Sequence, residues 1–91
     1  MKSDLVYLQQ IIESVHKIKK FIKGFDQDKF VVDQKTQSAV IMQLALIGEL
    51  AKRVSKENQS QISLPWKDIS GFRDRAIHIN YNSFYDRKKP R

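Results

Sequence analysis

The sequence contains no cysteine, only three glycines and two prolines, and no long apolar run. The lack of cysteine excludes a disulfide framework and any metal site built from thiolates. Two histidines are too few for a tetrahedral zinc site unless carboxylates add ligands, so we expect no metal and no cofactor. Because the apolar runs stay well below the ~18 residues of a membrane span, and no signal-peptide core is present, we expect a soluble cytoplasmic protein without membrane contact.

Length and charge indicate a small basic domain. The 91 residues suffice for one domain with a thin core. Seventeen Lys and Arg against ten Asp and Glu give a net charge of +7, which favours anionic partners such as nucleic acid. Four of the positive charges lie in residues 87–91, so the body of the chain is only mildly basic. We expect a helical domain over residues 1–81 and a basic, disordered tail over residues 82–91.

Apolar residues recur at three- and four-residue intervals, a spacing typical of amphipathic helices. This pattern predicts a first helix from Ser3 to Lys23 and a second from Asp33 to Glu57. The residues between them are predicted to be a connector with one helical turn at most, and residues 58–63 a polar loop. A third helix begins after Pro65 and bends at Gly71. Three helices joined by short connections predict an antiparallel all-α bundle.

A glycine in the middle of the second helix, Gly48, indicates close packing of another element at this point, since glycine costs ~1 kcal/mol there relative to alanine. The side chains best suited to chemistry lie further on, at the end of the third helix, where Arg73, Asp74 and His78 are followed by Tyr81.

A guanidinium binds phosphate through paired donors, and an imidazole transfers protons near neutral pH. The two groups suffice to cleave an RNA phosphodiester without a metal, because the 2′-OH of RNA supplies the nucleophile. Arg73 and His78 point about 140° apart on a regular helix. Either the helix ends near residue 77, or two chains share one site. Asp74 shares a helical face with His78 and can orient its ring, although the same spacing also suits a solvated surface pair.

Longer blocks of sequence carry a family resemblance. They are DLVYLQQI at 4–11, QSAV at 37–40, IGELAKR at 47–53 and LPWKDISGFRDR at 64–75. In their order and spacing, these blocks resemble the HepT-like group of the HEPN superfamily, small ribonuclease toxins paired with a minimal nucleotidyltransferase (MNT) antitoxin. The resemblance runs from Asp4 to about His78.

The resemblance implies an all-α homodimer in which Arg73 and His78 line a cleft between the subunits. The implied activity is metal-independent cleavage of RNA by the toxin of a type II toxin–antitoxin pair. The implied partner is an MNT antitoxin that transfers AMP to the tyrosine of the motif, here Tyr81. We further expect Glu49, from its position beside Gly48, to hold Arg73 across the cleft.

Two features depart from the family pattern. The usual motif is Arg-x4-His-x-Tyr, whereas Tyr81 lies one residue later than this spacing. The family's last helix is also absent from the sequence, so we expect a C-terminally shortened member. These departures give more weight than a full-length relative would to an alternative function, a non-catalytic helical subunit that binds a nucleotidyltransferase. A small DNA-binding protein is disfavoured, because the sequence lacks a helix-turn-helix pattern and a basic recognition helix.

Overall fold

A computed structural model of the protein describes residues 3–76 and 78. Within them the chain is helical with no strand, which confirms the all-α prediction. Residues 72–76 resume the helix after a turn at Gly71. Tyr81 and the predicted tail lie outside the described residues. The helices are α1 (Asp4–Phe21), α2 (Gln27–Val32), α3 (Gln34–Arg53), α4 (Lys56–Gln61) and α5 (Trp66–Ser70). None of these helices is long and apolar enough to cross a lipid bilayer.

The antiparallel pair of α1 and α3 makes up most of the bundle. At one end, Asp4 of α1 accepts a hydrogen bond of 2.6 Å from the hydroxyl of Ser55, which follows α3. At the other end, Ile18 of α1 and Val40 of α3 line the same cleft. The chain turns back after α1 at Gly24, whose φ of +80° lies in the left-handed region that favours glycine.

The core is thin, and α3 supplies most of it. The buried apolar side chains are Val40, Ile47, Leu50, Ala51, Val54 and Ala76. From α1 the buried residue is Ser14, whereas Leu5 and Ile12 are 63% and 54% exposed. Val15 also lies in the exposed class. The apolar face of α1 is therefore only partly covered within one chain.

The second long helix is shorter than the sequence pattern predicts. α3 ends at Arg53 because Val54 and Ser55 adopt extended conformations. The Ser55 hydroxyl then accepts a hydrogen bond of 3.3 Å from the backbone N–H of Asn58 and caps α4. The prediction of a continuous helix to Glu57 is therefore wrong, as is that of a loop beginning at Asn58.

Two side chains stabilise this turn between α3 and α4. The Gln59 amide nitrogen donates to two carbonyl groups at the C-terminal end of α3, at 2.9 and 3.2 Å. The Asp4 carboxylate accepts hydrogen bonds from Ser55 and from the Asn58 amide. These bonds, that of the Ser55 hydroxyl first, hold the pKa of Asp4 below its ordinary value.

The connector between α1 and α3 is also more helical than predicted. α2 spans six residues, and the Asp26 carboxylate caps it by accepting a hydrogen bond of 2.8 Å from the Lys29 backbone N–H. Asp33 caps α3 in the same way through the Thr36 N–H at 2.9 Å. Consecutive capped helices replace the loop that the weak periodicity suggested.

Candidate active site

Gly48 lets the segment that follows α5 pack directly on α3. A Cβ atom at this position would lie 2.6 Å from the backbone nitrogen of Arg73 and 3.2 Å from the carbonyl oxygens of Ile69 and Ser70. Since a carbon cannot approach backbone atoms at 2.6 Å, any other residue would push the two elements apart. The structure thus confirms the close packing predicted at Gly48, and this packing brings Arg73 to Glu49.

Five charged side chains alternate in sign along this contact, and we call them the charge row. The row begins at Arg53, whose Nη2 lies 3.8 Å from Oε1 of Glu49, and Oε2 of Glu49 lies 3.6 Å from Nε of Arg73. The row continues from Nη1 of Arg73 to Oδ1 of Asp74 at 3.5 Å. It ends where Oδ2 of Asp74 lies 4.0 Å from Nζ of Lys52. Glu49 and Arg73 belong to the same chain here, whereas the sequence led us to expect their contact across two subunits.

The charge row is open to solvent. Its side chains are 41–69% exposed, so each ion pair contributes only about 0–1 kcal/mol. A phosphate can therefore replace a carboxylate on Arg73 at small cost in free energy. Three cations and two carboxylates also leave the row with a net positive charge, which attracts an anion. In the part of the chain that the structure describes, no three His, Asp or Glu side chains gather closely enough to hold a metal ion.

His78 is helical and exposed. Residue 77 lies outside the described residues, so the two alternatives, a helix that ends near it and a site shared by two chains, both stay predictions. Arg73 and His78 are five positions apart, a separation that would direct them about 140° apart on a regular helix. Asp74, predicted to orient His78, forms ion pairs with Lys52 and Arg73. Tyr81 lies outside the described residues, so its role stays a prediction.

Lys52 and Arg53 also belong to the charge row, and neither was predicted from the sequence. The available signal was the i,i+4 spacing of Glu49 and Arg53, which places the two side chains on one helical face. Glu49 and Arg53 also line a cleft of about 410 Å³ between α3 and α1. Glu13 and Lys17 of α1 form the opposite wall of this cleft. The pairing of Lys52 with Asp74 depends on the packing at Gly48 and has no local sequence signal.

Comparison with protein families gives one match that covers most of the chain. The model described as "Ribonuclease HepT-like" matches residues 11–86. This range includes the whole charge row together with His78 and Tyr81.

Individual relatives agree with this match. "Putative RNase TTE0752" of Caldanaerobacter subterraneus subsp. tengcongensis is 33% identical over 94% of this chain and 81% of the relative. "Probable ribonuclease HepT" of Thermococcus cleftensis is 34% identical over 82% of this chain and 69% of the relative. "Putative RNase MJ0127" of Methanocaldococcus jannaschii is 35% identical over 88% of this chain and 70% of the relative. No solved structure matches the chain significantly.

Proposed function

The chain belongs to the HepT-like ribonuclease family, and we propose that its ribonuclease activity is a metal-independent endonucleolytic cleavage carried out by Arg73 and His78. The observation that carries this proposal is the position of Arg73. Its guanidinium is exposed, held by Glu49 at 3.6 Å and by Asp74 at 3.5 Å, and available to an incoming phosphate.

The proposed reaction uses groups of the RNA itself. The 2′-OH attacks the adjacent phosphorus, so a P–O2′ bond forms while the P–O5′ bond breaks. His78 accepts the proton of the 2′-OH and returns a proton to the departing 5′ oxygen. Arg73 stabilises the additional negative charge of the phosphorane through paired N–H donors. The products are a 2′,3′-cyclic phosphate and a 5′-OH end, and no water is consumed.

We place this site in a cleft between two copies of the chain. On a regular helix Arg73 and His78 would diverge by about 140°, and a second copy that supplies one of the two groups resolves this geometry. The partly exposed apolar face of α1, with Leu5 and Ile12, supports association of two chains. Asp74 then has the role of orienting His78, and Glu49 that of positioning Arg73.

The proposed biological role is that of a toxin neutralised by an MNT nucleotidyltransferase. Family membership supports this role, and the antitoxin is expected to transfer AMP to Tyr81 or to bind the toxin without modifying it. A test is to express the chain alone and together with the nucleotidyltransferase of an adjacent gene. Growth arrest by the chain alone that the second protein relieves supports the toxin role. Normal growth on expression alone contradicts it.

Cleavage of RNA by the purified protein in excess EDTA tests the catalytic proposal. We expect His78→Ala to lower the rate by about 10²–10⁴-fold, the usual effect of losing a general acid–base group. The matched control is His16→Ala, because His16 is an exposed histidine of α1 outside the site and its loss should leave the rate unchanged. Circular dichroism should show equal helicity in all three proteins.

Two outcomes contradict the proposal. If EDTA abolishes cleavage and magnesium restores it, Arg73 and His78 are not the whole catalytic machinery. If His78→Ala cleaves RNA at the wild-type rate, the catalytic assignment is wrong. The chain is then better described by the alternative function, a non-catalytic helical subunit of a nucleotidyltransferase.

A further inference from the structure

Another cleft lies on the side of α3 where α4 and α5 pack, next to the charge row. Its volume is about 560 Å³, within the range of roughly 300–1,000 Å³ that is typical of small-molecule sites. We call it the lysine cleft, because three of the six residues that line it are lysines. Its lining consists of Lys52, Lys56, Gln59, Trp66, Lys67 and Ser70.

All the charged side chains that line this cleft are positive. Each of its lysines is exposed, and none of the six lining residues is acidic. The lysine ammonium is a compact cation on a flexible stem, so it binds phosphate without requiring one fixed geometry. The lysine cleft is therefore suited to a phosphate group, and in this it differs from the cleft between α1 and α3, where Glu13 and Glu49 balance Lys17 and Arg53.

Trp66 gives the lysine cleft an aromatic wall. The indole is half-buried, and its Nε1–H donates a hydrogen bond of 2.9 Å to the carbonyl of Ile62, which fixes the orientation of the ring. Since this N–H is the only hydrogen-bonding group of the indole and is already bonded, the rest of the ring is an apolar aromatic surface. Such a surface stacks with nucleobases of any sequence.

Lys52 joins the lysine cleft to the proposed catalytic site. Its ammonium group lies 4.0 Å from Asp74, and Asp74 lies 3.5 Å from the Arg73 guanidinium. Lys52 thus belongs both to the lysine cleft and to the charge row. A strand whose phosphate binds Arg73 can continue past Lys52 into the cleft without leaving the surface of one chain.

We propose that the lysine cleft binds a nucleotide that flanks the cleaved bond of a single-stranded RNA. Lys56 and Lys67 hold its phosphate, and its base stacks on Trp66. The inference rests on the proposed ribonuclease function for the identity of the ligand. It adds a binding subsite on α4 and α5, outside the Arg73–His78 motif.

The test measures binding apart from cleavage. The full chain carrying His78→Ala is titrated with a single-stranded oligoribonucleotide of twelve adenosines, and the intrinsic fluorescence of tryptophan is recorded. Trp66 is the only tryptophan of the chain, so the signal reports on the lysine cleft alone. We expect the oligonucleotide to quench this fluorescence. Inorganic phosphate and polyglutamate at the same charge concentration should leave it unchanged, because neither carries a base.

The decisive variant is the double substitution Lys56→Gln with Lys67→Gln. Both lysines are exposed, so the fold should persist, whereas Trp66→Ala would also remove the bond to Ile62. We expect binding at least roughly tenfold weaker at low salt, and a plot of log affinity against log salt that is shallower by about 1.4 for the two lost charges.

A matched control is Lys19→Gln with Lys23→Gln. Both lysines are exposed; Lys19 lies in the last turn of α1 and Lys23 two residues after its end, about 25 Å along the helix from the end that contacts Ser55. The control removes the same charge from the protein and should bind the oligonucleotide nearly as wild type does. Equal weakening by the two double variants would show a general charge effect and overturn the proposal.

Other outcomes also overturn it. These are an absence of quenching by the oligonucleotide, and equal quenching by polyglutamate, which would indicate an acidic protein partner. The two proposals fail separately. If the fluorescence titration shows no subsite, the effect of His78→Ala on cleavage still supports the catalytic proposal. If His78→Ala cleaves RNA at the wild-type rate, quenching of Trp66 still supports the subsite.

Discussion

Arg73 and Arg75 are two residues apart in the same motif, and their surroundings assign them different roles. The Arg75 guanidinium donates a hydrogen bond to the backbone carbonyl of Asp68 and lies 5.4 Å from the centre of the Phe72 ring. Its partners thus belong to its own segment and stay in place when a ligand binds. Arg73 instead contacts side-chain carboxylates, which a phosphate can displace.

This difference predicts opposite effects of the same substitution. Arg73→Lys should reduce RNA cleavage about 100-fold or more without altering thermal stability, because an ammonium cannot present paired N–H donors to the phosphorane. Arg75→Lys should retain cleavage and lose up to about 1 kcal/mol of stability with its hydrogen bond and ring contact. Cleavage assays and thermal unfolding of both variants test this. A fully active Arg73→Lys would refute the role of the guanidinium.

At the scale of elements, the sequence predicts the long helices better than the short ones. The apolar periodicity of α1 and α3 fixes their identity, and Gly48 correctly indicates a close approach. α2 and α4 have six residues each, too few to show periodicity. What stabilises them is capping by Asp26 and Ser55.

Some residues of the candidate site can be predicted from the sequence, and others are recognised only in the folded structure. The Arg-x4-His spacing predicts Arg73 and His78 from the sequence, and the position beside Gly48 predicts Glu49. The pairing of Lys52 with Asp74 is invisible there, because it joins residues 22 positions apart through the packing of α3 against the segment after α5. Lys56 and Lys67 are likewise unremarkable as single surface lysines, and only the fold places them around Trp66.

The contact between α1 and α4 predicts a pH-dependent stability. The pKa of Asp4 is lowered from 3.8 by its bonds to Ser55 and Asn58, so its ionised form stabilises the folded state above pH 3.8. This contribution is lost as the pH falls through the lowered pKa. Asp4→Asn should therefore unfold at a lower temperature than wild type at pH 7, and the difference should shrink below pH 3.8.

Melting curves of wild type and Asp4→Asn between pH 7 and pH 2.5 measure this effect, since the difference between the proteins cancels the titration of other carboxylates. Glu57→Gln, which removes an exposed acid from the first turn of α4, is the control for a change of one charge. A difference that stays constant over the whole range would contradict the prediction.

The packing of α3 against the segment after α5 predicts that alanine substitutions at Gly48 and Gly71 change the free energy of unfolding in different directions. Gly48→Ala places a methyl group 2.6 Å from the Arg73 backbone nitrogen and should cost about 1–3 kcal/mol through forced separation of the elements. Gly71→Ala meets nothing closer than 3.4 Å at a φ of −76°, and should be neutral or stabilising by up to about 1 kcal/mol.

Urea unfolding of both variants checks the sign, and RNA cleavage adds a second measurement. Because Gly48→Ala displaces Arg73 from Glu49, its activity should fall even at temperatures where it is folded. Equal stabilities of the two alanine variants would show that the close approach at Gly48 carries no energetic weight.

At the scale of the whole molecule, a single chain leaves large apolar side chains of α1 exposed to solvent. Leu5, Ile12 and Val15 lie on one face of α1 by their spacing of seven and three residues, and α3 leaves this face uncovered. Only six apolar side chains are buried among the described residues, so a single chain has a small core. Burial of the α1 face between two copies would enlarge the apolar core and bring two proposed catalytic motifs into one assembly.

We therefore predict a homodimer at micromolar concentration that depends on the face of α1. Ile12→Glu should shift sedimentation towards the monomer, because a carboxylate buried at the interface without a partner opposes association strongly. Val32→Glu is the matched control. Val32 is 78% exposed, more than Ile12, and lies on α2 away from the α1 face, so the control variant should remain dimeric. If the catalytic cleft draws on both copies, cleavage of RNA should fall with the dimer in Ile12→Glu and recover as protein concentration rises. A well-folded wild-type monomer that cleaves RNA at a rate independent of concentration would exclude the shared site.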